Sequence, residues 1–262
     1  MRNTLTDQFI QQVDMLIPGV SLDCVVFGYR QGVLKVLLLK YRNAEAWSLP
    51  GGFLPSDAEM ESVASDILMK RTGLKDVFLT QHRTFSGLSR GWDANEQSQN
   101  AFSEIKKMWP EEHKKQFQSW FDQRFISTAY VALIDSAKAS LVPDHLSECC
   151  AWVSVNELPT VVLDHAQMIA SALAYLKMQI NYLPIGKSLL ADRFTMSDLK
   201  ALYEAILQKK LDRGNFQRKM HKLGILIRHE KLMTGASNKA PYLYSIDDSR
   251  YNQLLIDGIG FQ

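Results

Sequence analysis

Apolar residues follow two periods along this chain. Leu22–Tyr29 and Val33–Leu39 are near-continuous apolar runs separated by Arg30-Gln31-Gly32. A short polar turn between two such runs predicts a β-hairpin. From Ser56 to Thr72 the period changes: Met60, Val63, Ala64, Ile67 and Leu68 recur at helical spacing and make one apolar face, and Gly73 is a C-terminal stop. Phe9, Ile10, Val13 and Leu16 predict an amphipathic helix over residues 1–16. Strands are expected again at Val77–Gln81, Phe125–Ile134 and Ala151–Val155. Between Arg90 and Gln123 lies a polar segment rich in aromatic residues, read as two short helices with Pro110 opening the second. A long helix is expected from Asp164 to about Tyr182, with Asp164 and Gln167 at capping-box spacing.

Past Pro184-Ile185-Gly186 the pattern starts afresh, which sets a domain boundary there: residues 1–184 and 185–262. Thr195 and Asp198 cap a helix whose buried stripe is Leu199, Leu202, Ala205 and Ile206. Asp212 caps a second helix with Phe216, Met220 and Leu223 inside. Two strands follow, Ile225–Arg228 and Tyr242–Ile246, around the polar turn Gly235–Lys239. Helix, turn, helix and a two-stranded wing is the order of a winged helix-turn-helix.

Charge sharpens this division. Residues 1–185 carry 17 Lys+Arg against 20 Asp+Glu, whereas residues 186–262 carry 13 against 8. Between Lys209 and Lys222 there are six cations and one acid. A basic helix of this kind fits the major groove of double-stranded DNA. Arg213 can pair with guanine and Asn215 with adenine, Gln217 shares the exposed surface, and Arg218, Lys219 and Lys222 suit phosphates. Hydrophobic content of 46% fits a globular chain. No apolar run is long enough for a membrane span, and the first residues lack a secretory pattern, so a cytoplasmic protein is expected. Cys24, Cys149 and Cys150 fit no metal finger and are read as buried thiols.

The stretches VLKVLLLKYRNAEAWSLPGGF, FISTAYVALI, LPTVVLDHAQMI and FTMSDLKALYEAILQKKLDRGNFQRKMHKLGIL resemble the Nudix-related transcriptional regulators. The resemblance implies an α+β protein: a Nudix-like α/β/α sandwich that senses a small molecule, then a winged helix-turn-helix. It further implies a homodimer, usually a repressor, that binds operator DNA and responds to a sugar or an ADP-ribose-like nucleotide. Arg42, Trp47, Arg83 and Arg124 lie on segments that border the cleft in that fold and are the effector-site candidates. The chain departs from these relatives in two places. The 90–123 insertion is longer than expected, and its Trp92, Trp109, Phe117, Trp120 and Phe121 suit either a lid over the cleft or packing among themselves or across a dimer. The wing reads Lys239-Ala240-Pro241 where relatives often carry Gly-Arg-Pro, leaving Lys239 as a weak wing contact.

The active Nudix box runs from a first glycine, here Gly52, to a last one, here Gly73. Its first glutamate falls on Ala58, its Arg-Glu on Asp66-Ile67 and its Glu-Glu on Lys70-Arg71. Magnesium wants oxygen ligands, and two cations repel it. No catalytic residue, metal or cofactor is therefore expected. The alternative is a divergent Nudix hydrolase acting on a nucleoside diphosphate derivative.

Overall fold

The computed structural model describes residues 15–75, 77, 79–88, 90, 95–108, 111–182, 189–233 and 240–257, the side chains of 116, 117, 181, 182 and 255 excepted. Phe9, Ile10, Val13, Trp92, Trp109, Pro110, Lys239 and the Phe117 side chain, all singled out above, lie outside this set. The described part divides into two compact units, Met1–Gly28 with Lys35–Ala172, and Tyr29–Leu34 with Leu173–Gln262.

The first unit is built on a sheet in the order β3-β2-β1-β6-β5, with β4 also on β1 and β7 also on β2. The strands are β1 (Leu16–Arg30), β2 (Val33–Tyr41), β3 (Trp47–Ser48), β4 (Gly51–Pro55), β5 (Leu79–Phe85), β6 (Ile126–Asp135) and β7 (Ser147–Ser154). The hairpin of β1 and β2 turns at Gln31 and Gly32, both at positive φ (51° and 81°), as a tight two-residue turn with right-handed strand twist requires. Leu16, expected in a helix, opens β1. Side chains alternate across a strand, so β1 sends Leu22, Cys24 and Val26 to one face and Asp23 to the other. Helix α1 (Met60–Thr72) covers the first face: Ala64, Ile67 and Leu68 pack there with Leu22, Cys24, Val26, Leu37 and Tyr130. It begins four residues later than the apolar period suggests, because 56–58 form a turn. Gly73 ends it at φ 70° and returns its N–H to the Met69 carbonyl.

The insertion folds as α2 (Glu96–Lys107), a short 3-10 turn (Glu111–His113) and α3 (Lys114–Phe121). Trp120 and Phe121 are buried with Ile105 and Phe125, packed against Phe53. Helix α4 (His165–Tyr182) follows; Ser171 Oγ on it meets His82 Nε2 of β5 at 2.9 Å. Cys24 is buried, but Cys149 and Cys150 are only half-buried, on β7.

The second unit holds α5 (Met196–Leu207), α6 (Arg213–Lys222), a small sheet ordered β8-β10-β9, and α7 (Asp248–Asp257). The strands are β8 (Phe194–Thr195), β9 (Leu226–Lys231) and β10 (Tyr242–Ile246). Thr195 and Asp198 form the expected capping box. The buried stripe of α5 is Leu199, Leu202, Tyr203 and Ile206; Tyr203 takes the place expected of Ala205 because its ring meets Phe216 edge-on at 5.2 Å. Leu223 is only half-buried, since it caps α6 rather than extending it.

Candidate nucleic-acid interface and ligand cavity

Phe216 and Met220 anchor α6 inward, and this sets what the helix offers to solvent. Arg213, Asn215, Arg218, Lys219 and Lys222 are exposed, and Gln217 is partly so. Asp212 accepts the Asn215 N–H at 2.8 Å and fixes the first turn. The Arg218 guanidinium donates to Asn215 Oδ1, so these two side chains are presented to solvent as a pair. Glu204 holds the approach to α6. It accepts Lys200 Nζ at 2.6 Å and the Leu211 N–H at 2.7 Å; the Lys200 ammonium, then that N–H, lower its pKa.

Three features of this surface escaped the sequence reading. Gly214 and His221 share a shallow hollow with Gln217, Arg218 and Lys222. Arg213 faces a second hollow of about 400 Å³ together with Lys200, Gln217, Lys231 and Tyr242. On the wing, Arg228 and Lys231 lie 4.7 and 5.3 Å from the Tyr242 ring centre. Lys231 thus borders the same hollow as Arg213 of α6, and strand pairing with β10 (Lys231 opposite Tyr242) places it there.

In the first unit a cavity of about 150 Å³ opens on the face of β1 that carries Asp23. Phe53, Phe121, Phe125, Ile105, Leu49, Leu146 and Leu163 make its apolar wall; Ser21, Tyr41, Ser48, Asp23, Asp144, Arg90 and His165 make its polar one. Arg90, with 3% of its side chain exposed, lies 3.3 Å from Asp23 and 2.9 Å from Asp164. Its Nη1 reaches the Phe125 carbonyl at 3.5 Å. Ser127 donates to Asp23 from the other side. His165 Nδ1 accepts the Leu49 N–H at 3.0 Å, so the ring proton sits on Nε2, which faces Asp23 Oδ1 at 3.6 Å.

Burial keeps His165 below the ordinary histidine range in spite of Asp23. An unfolded histidine takes its proton near pH 6.5; the folded one takes it only at lower pH. The stability this group supplies is therefore complete above about pH 6.5 and is lost as pH falls below it. His165→Asn, whose amide oxygen can replace Nδ1, is expected to lose less of its urea midpoint than the parent between pH 7.5 and pH 5.5. Equal losses would show that His165 plays no such part.

None of the four effector candidates lines this cavity. Arg42 Nε donates to the His145 carbonyl at 3.1 Å, Arg124 donates to the Ser86 carbonyl, and Arg83 lies over Phe85 at 5.3 Å. Trp47 pairs with Lys40 across β3 and β2. Three of them are sequence neighbours of lining residues: Arg42 of Tyr41, Trp47 of Ser48 and Arg124 of Phe125. The polar residues that do line it left one visible signal, Asp23, a lone carboxylate inside an apolar strand. Arg90 left none. Asp164 precedes α4 as expected, but its carboxylate serves Arg90, and the Gln167 N–H is taken by the Asp164 carbonyl.

The box helix does not fit a magnesium ion. Ile67 is part of the core under Gly52. Lys70 is exposed. Arg71 turns to the Val142 carbonyl at 3.4 Å and toward Asp144 at 4.0 Å. Among the described residues, no group of three or more His, Cys, Asp or Glu could hold a metal, and no helix is long and apolar enough to cross a membrane.

Comparison with known proteins agrees with both units. Residues 186–246 match the NrtR DNA-binding winged helix domain. The ADPR responsive transcriptional repressor NtrR of Acinetobacter baylyi is 24% identical over 253 residues, 92% of this chain and 88% of that protein. The fold is similar to that of Shewanella oneidensis NrtR, solved in complex with a 27mer DNA: TM-score 0.65, 20% identity, 89% of this chain and 95% of that one. It is also similar to a MutT/nudix family protein from Enterococcus faecalis, with TM-score 0.58, 16% identity, and 92% and 93% of the two chains covered. A Nudix-like fold ahead of a winged helix that matches the NrtR DNA-binding type is the build of the Nudix-related transcriptional regulators, which this chain resembles.

Proposed function

We propose that this protein is a cytoplasmic, homodimeric repressor whose grip on operator DNA changes when a small molecule enters the cavity of its Nudix-like domain. The observation that carries this reading is the winged-helix match over residues 186–246, with the cations of α6 turned to solvent. Residues 185–262 form the DNA-binding part and residues 1–184 the sensor. Two copies place two recognition helices on the half-sites of a near-palindrome. Arg213, Asn215 and Gln217 read bases, while Arg218, Lys219 and Lys222, with Lys239 on the wing, hold phosphates.

The effector belongs to the sugar or ADP-ribose class. A cavity of about 150 Å³ takes a single ring. Its lining brings two aspartate side chains and one arginine, which suits hydroxyls better than phosphates. A ribose-type ring therefore enters, its hydroxyls on Asp23 and Asp144 and its faces against Phe53 and Phe121. Arg42, Trp47, Arg83 and Arg124 serve the parts of a longer ligand that stay outside. With no carboxylate at positions 67, 70 and 71, the domain binds this ligand without hydrolysing it.

Gel shift of the full chain with DNA from upstream of its own gene tests the reading. Retardation is expected at low salt and is expected to decrease on adding ADP-ribose or a free pentose. If no upstream fragment is retarded, the protein is not the repressor proposed; release of AMP from ADP-ribose in magnesium would instead make it a hydrolase.

A further inference from the structure

Between the cavity and helix α4 lies a corner of three residues, Leu163, Asp164 and His165. Leu163 has φ 53°. A leucine stays in the left-handed region only where its surroundings hold it there. Here two residues of the insertion, Asn95 and Ser98, do so. Ser98 Oγ accepts the Leu163 N–H at 2.8 Å, and Asn95 Nδ2 donates to the Leu163 carbonyl at 3.4 Å. Asn95 Oδ1 takes both the N–H and the hydroxyl of Ser98, which leaves that oxygen's lone pair for Leu163. Arg90 then grips the next residue, with Nε 2.9 and 3.1 Å from the two carboxylate oxygens of Asp164. His165, the first residue of α4, is tied to the Leu49 N–H.

Leu163 and His165 both line the cavity, as does Arg90. A molecule that fills it touches the strained residue, the helix start and the guanidinium between them. Helix α4 runs on to Tyr182, four residues before the winged-helix match begins at 186. Its residues from Leu173 onward are grouped with the second unit. The corner is thus continuous in chain with the DNA-binding residues and adjacent in space to the cavity.

We propose that the 163–165 corner is the switch between ligand and DNA, with Arg90, Asn95 and Ser98 as its clamp. In the empty cavity the clamp holds Leu163 in its left-handed conformation. A bound ring competes for Arg90 and presses on Leu163, the residue relaxes, and the first turn of α4 reorients. The 90–121 segment is on this view the part of the sensor that makes occupancy felt, and not a decoration on the fold. The proposal rests on the ligand-responsive reading above. Arg90, Asn95 and Ser98 are positioning residues: they act through Leu163 and Asp164.

Amide hydrogen exchange and operator binding on the full chain test it without any added ligand. The variants are Ser98→Ala and Asp164→Asn, both close in size to the parent residues. Exchange of the α4 amides from 166 to 180 is expected to rise about tenfold while β1 and β2 keep the parent rates. The operator Kd is expected to rise about tenfold in the same variants. Increases confined to residues 163–165, or a parent-like Kd in both variants, would overturn the switch. If the parent chain binds no operator, the repressor reading has failed and the exchange pattern alone decides this one. Should Ser98→Ala not fold, Asp164→Asn carries both measurements.

Discussion

Lys219→Ala with Lys222→Ala lowers affinity for operator and for unrelated DNA alike, and reduces the slope of log K against log salt by about 1.8. The reason is counterion release: each phosphate neutralised contributes a slope of about 0.9 on duplex DNA. Both side chains are exposed and stand clear of the Phe216–Met220 anchor. Folding stability should therefore stay within about 0.5 kcal/mol of the parent. Arg213→Ala is expected to behave differently. It faces the hollow bordered by Gln217 and Lys231 at the start of α6, the end of a recognition helix that meets base edges. Its loss should cost about 1–3 kcal/mol on operator and much less on unrelated DNA, since a base contact carries specificity. Fluorescence anisotropy across a salt series, on operator and on a scrambled duplex, separates the two effects. An unchanged salt slope in the lysine pair would remove α6 from the phosphate backbone, and equal losses for Arg213→Ala on both duplexes would remove it from the bases.

Arg90→Met is expected to destabilise the Nudix-like domain by about 3–5 kcal/mol, because it strands two carboxylates in a buried setting. Asp23 and Asp164 have 9% and 16% of their side chains exposed, too little for water to replace a guanidinium at 3.3 and 2.9 Å. Ser127 can still donate to Asp23, but a hydroxyl brings no charge. Neutralising the stranded acids should undo most of the loss. The triple variant Arg90→Met, Asp23→Asn, Asp164→Asn is expected to recover at least half of it, as buried ion pairs are often replaceable by neutral groups. Urea unfolding of the three proteins measures this. A loss below about 1 kcal/mol in Arg90→Met would place that ion pair in the class of solvated, weak ones.

How much of this was legible in the sequence differs between the two parts. The winged helix was read nearly whole, because its signals are local. Thr195 and Asp198 cap a helix three residues apart, Asp212 caps the next, and the anchors Phe216 and Met220 alternate with cations at helical spacing. The misreadings there, Ala205 for Tyr203 and the wing cations Arg228 and Lys231, concern which neighbour a side chain finds. The hairpin and the box helix were legible for the same reason, although the start of the helix was not: the 56–58 turn keeps an apolar period without being helical.

The cavity of the Nudix-like domain was a different matter. The effector candidates were three arginines and Trp47 on segments bordering a cleft, and none of the four lines this cavity. Arg90 lies 67 residues from Asp23 and 74 from Asp164, the neighbour of His165, and no periodicity ties them together. Likewise the aromatic insertion could be seen as a segment, but not that Phe121 forms a cavity wall while Trp120 packs behind it.

The sequence by itself determined the two-part α+β build, the basic exposed face of α6, and the lack of carboxylates at positions 67, 70 and 71, since each depends on residue type at short spacing. Only the tertiary structure decided which residues line the cavity, that Arg71 turns toward Asp144, and that Leu163 is held at a positive φ beside the cavity. Those are outcomes of strand pairing and of charges meeting under burial, where the partner of a side chain is fixed by the whole fold.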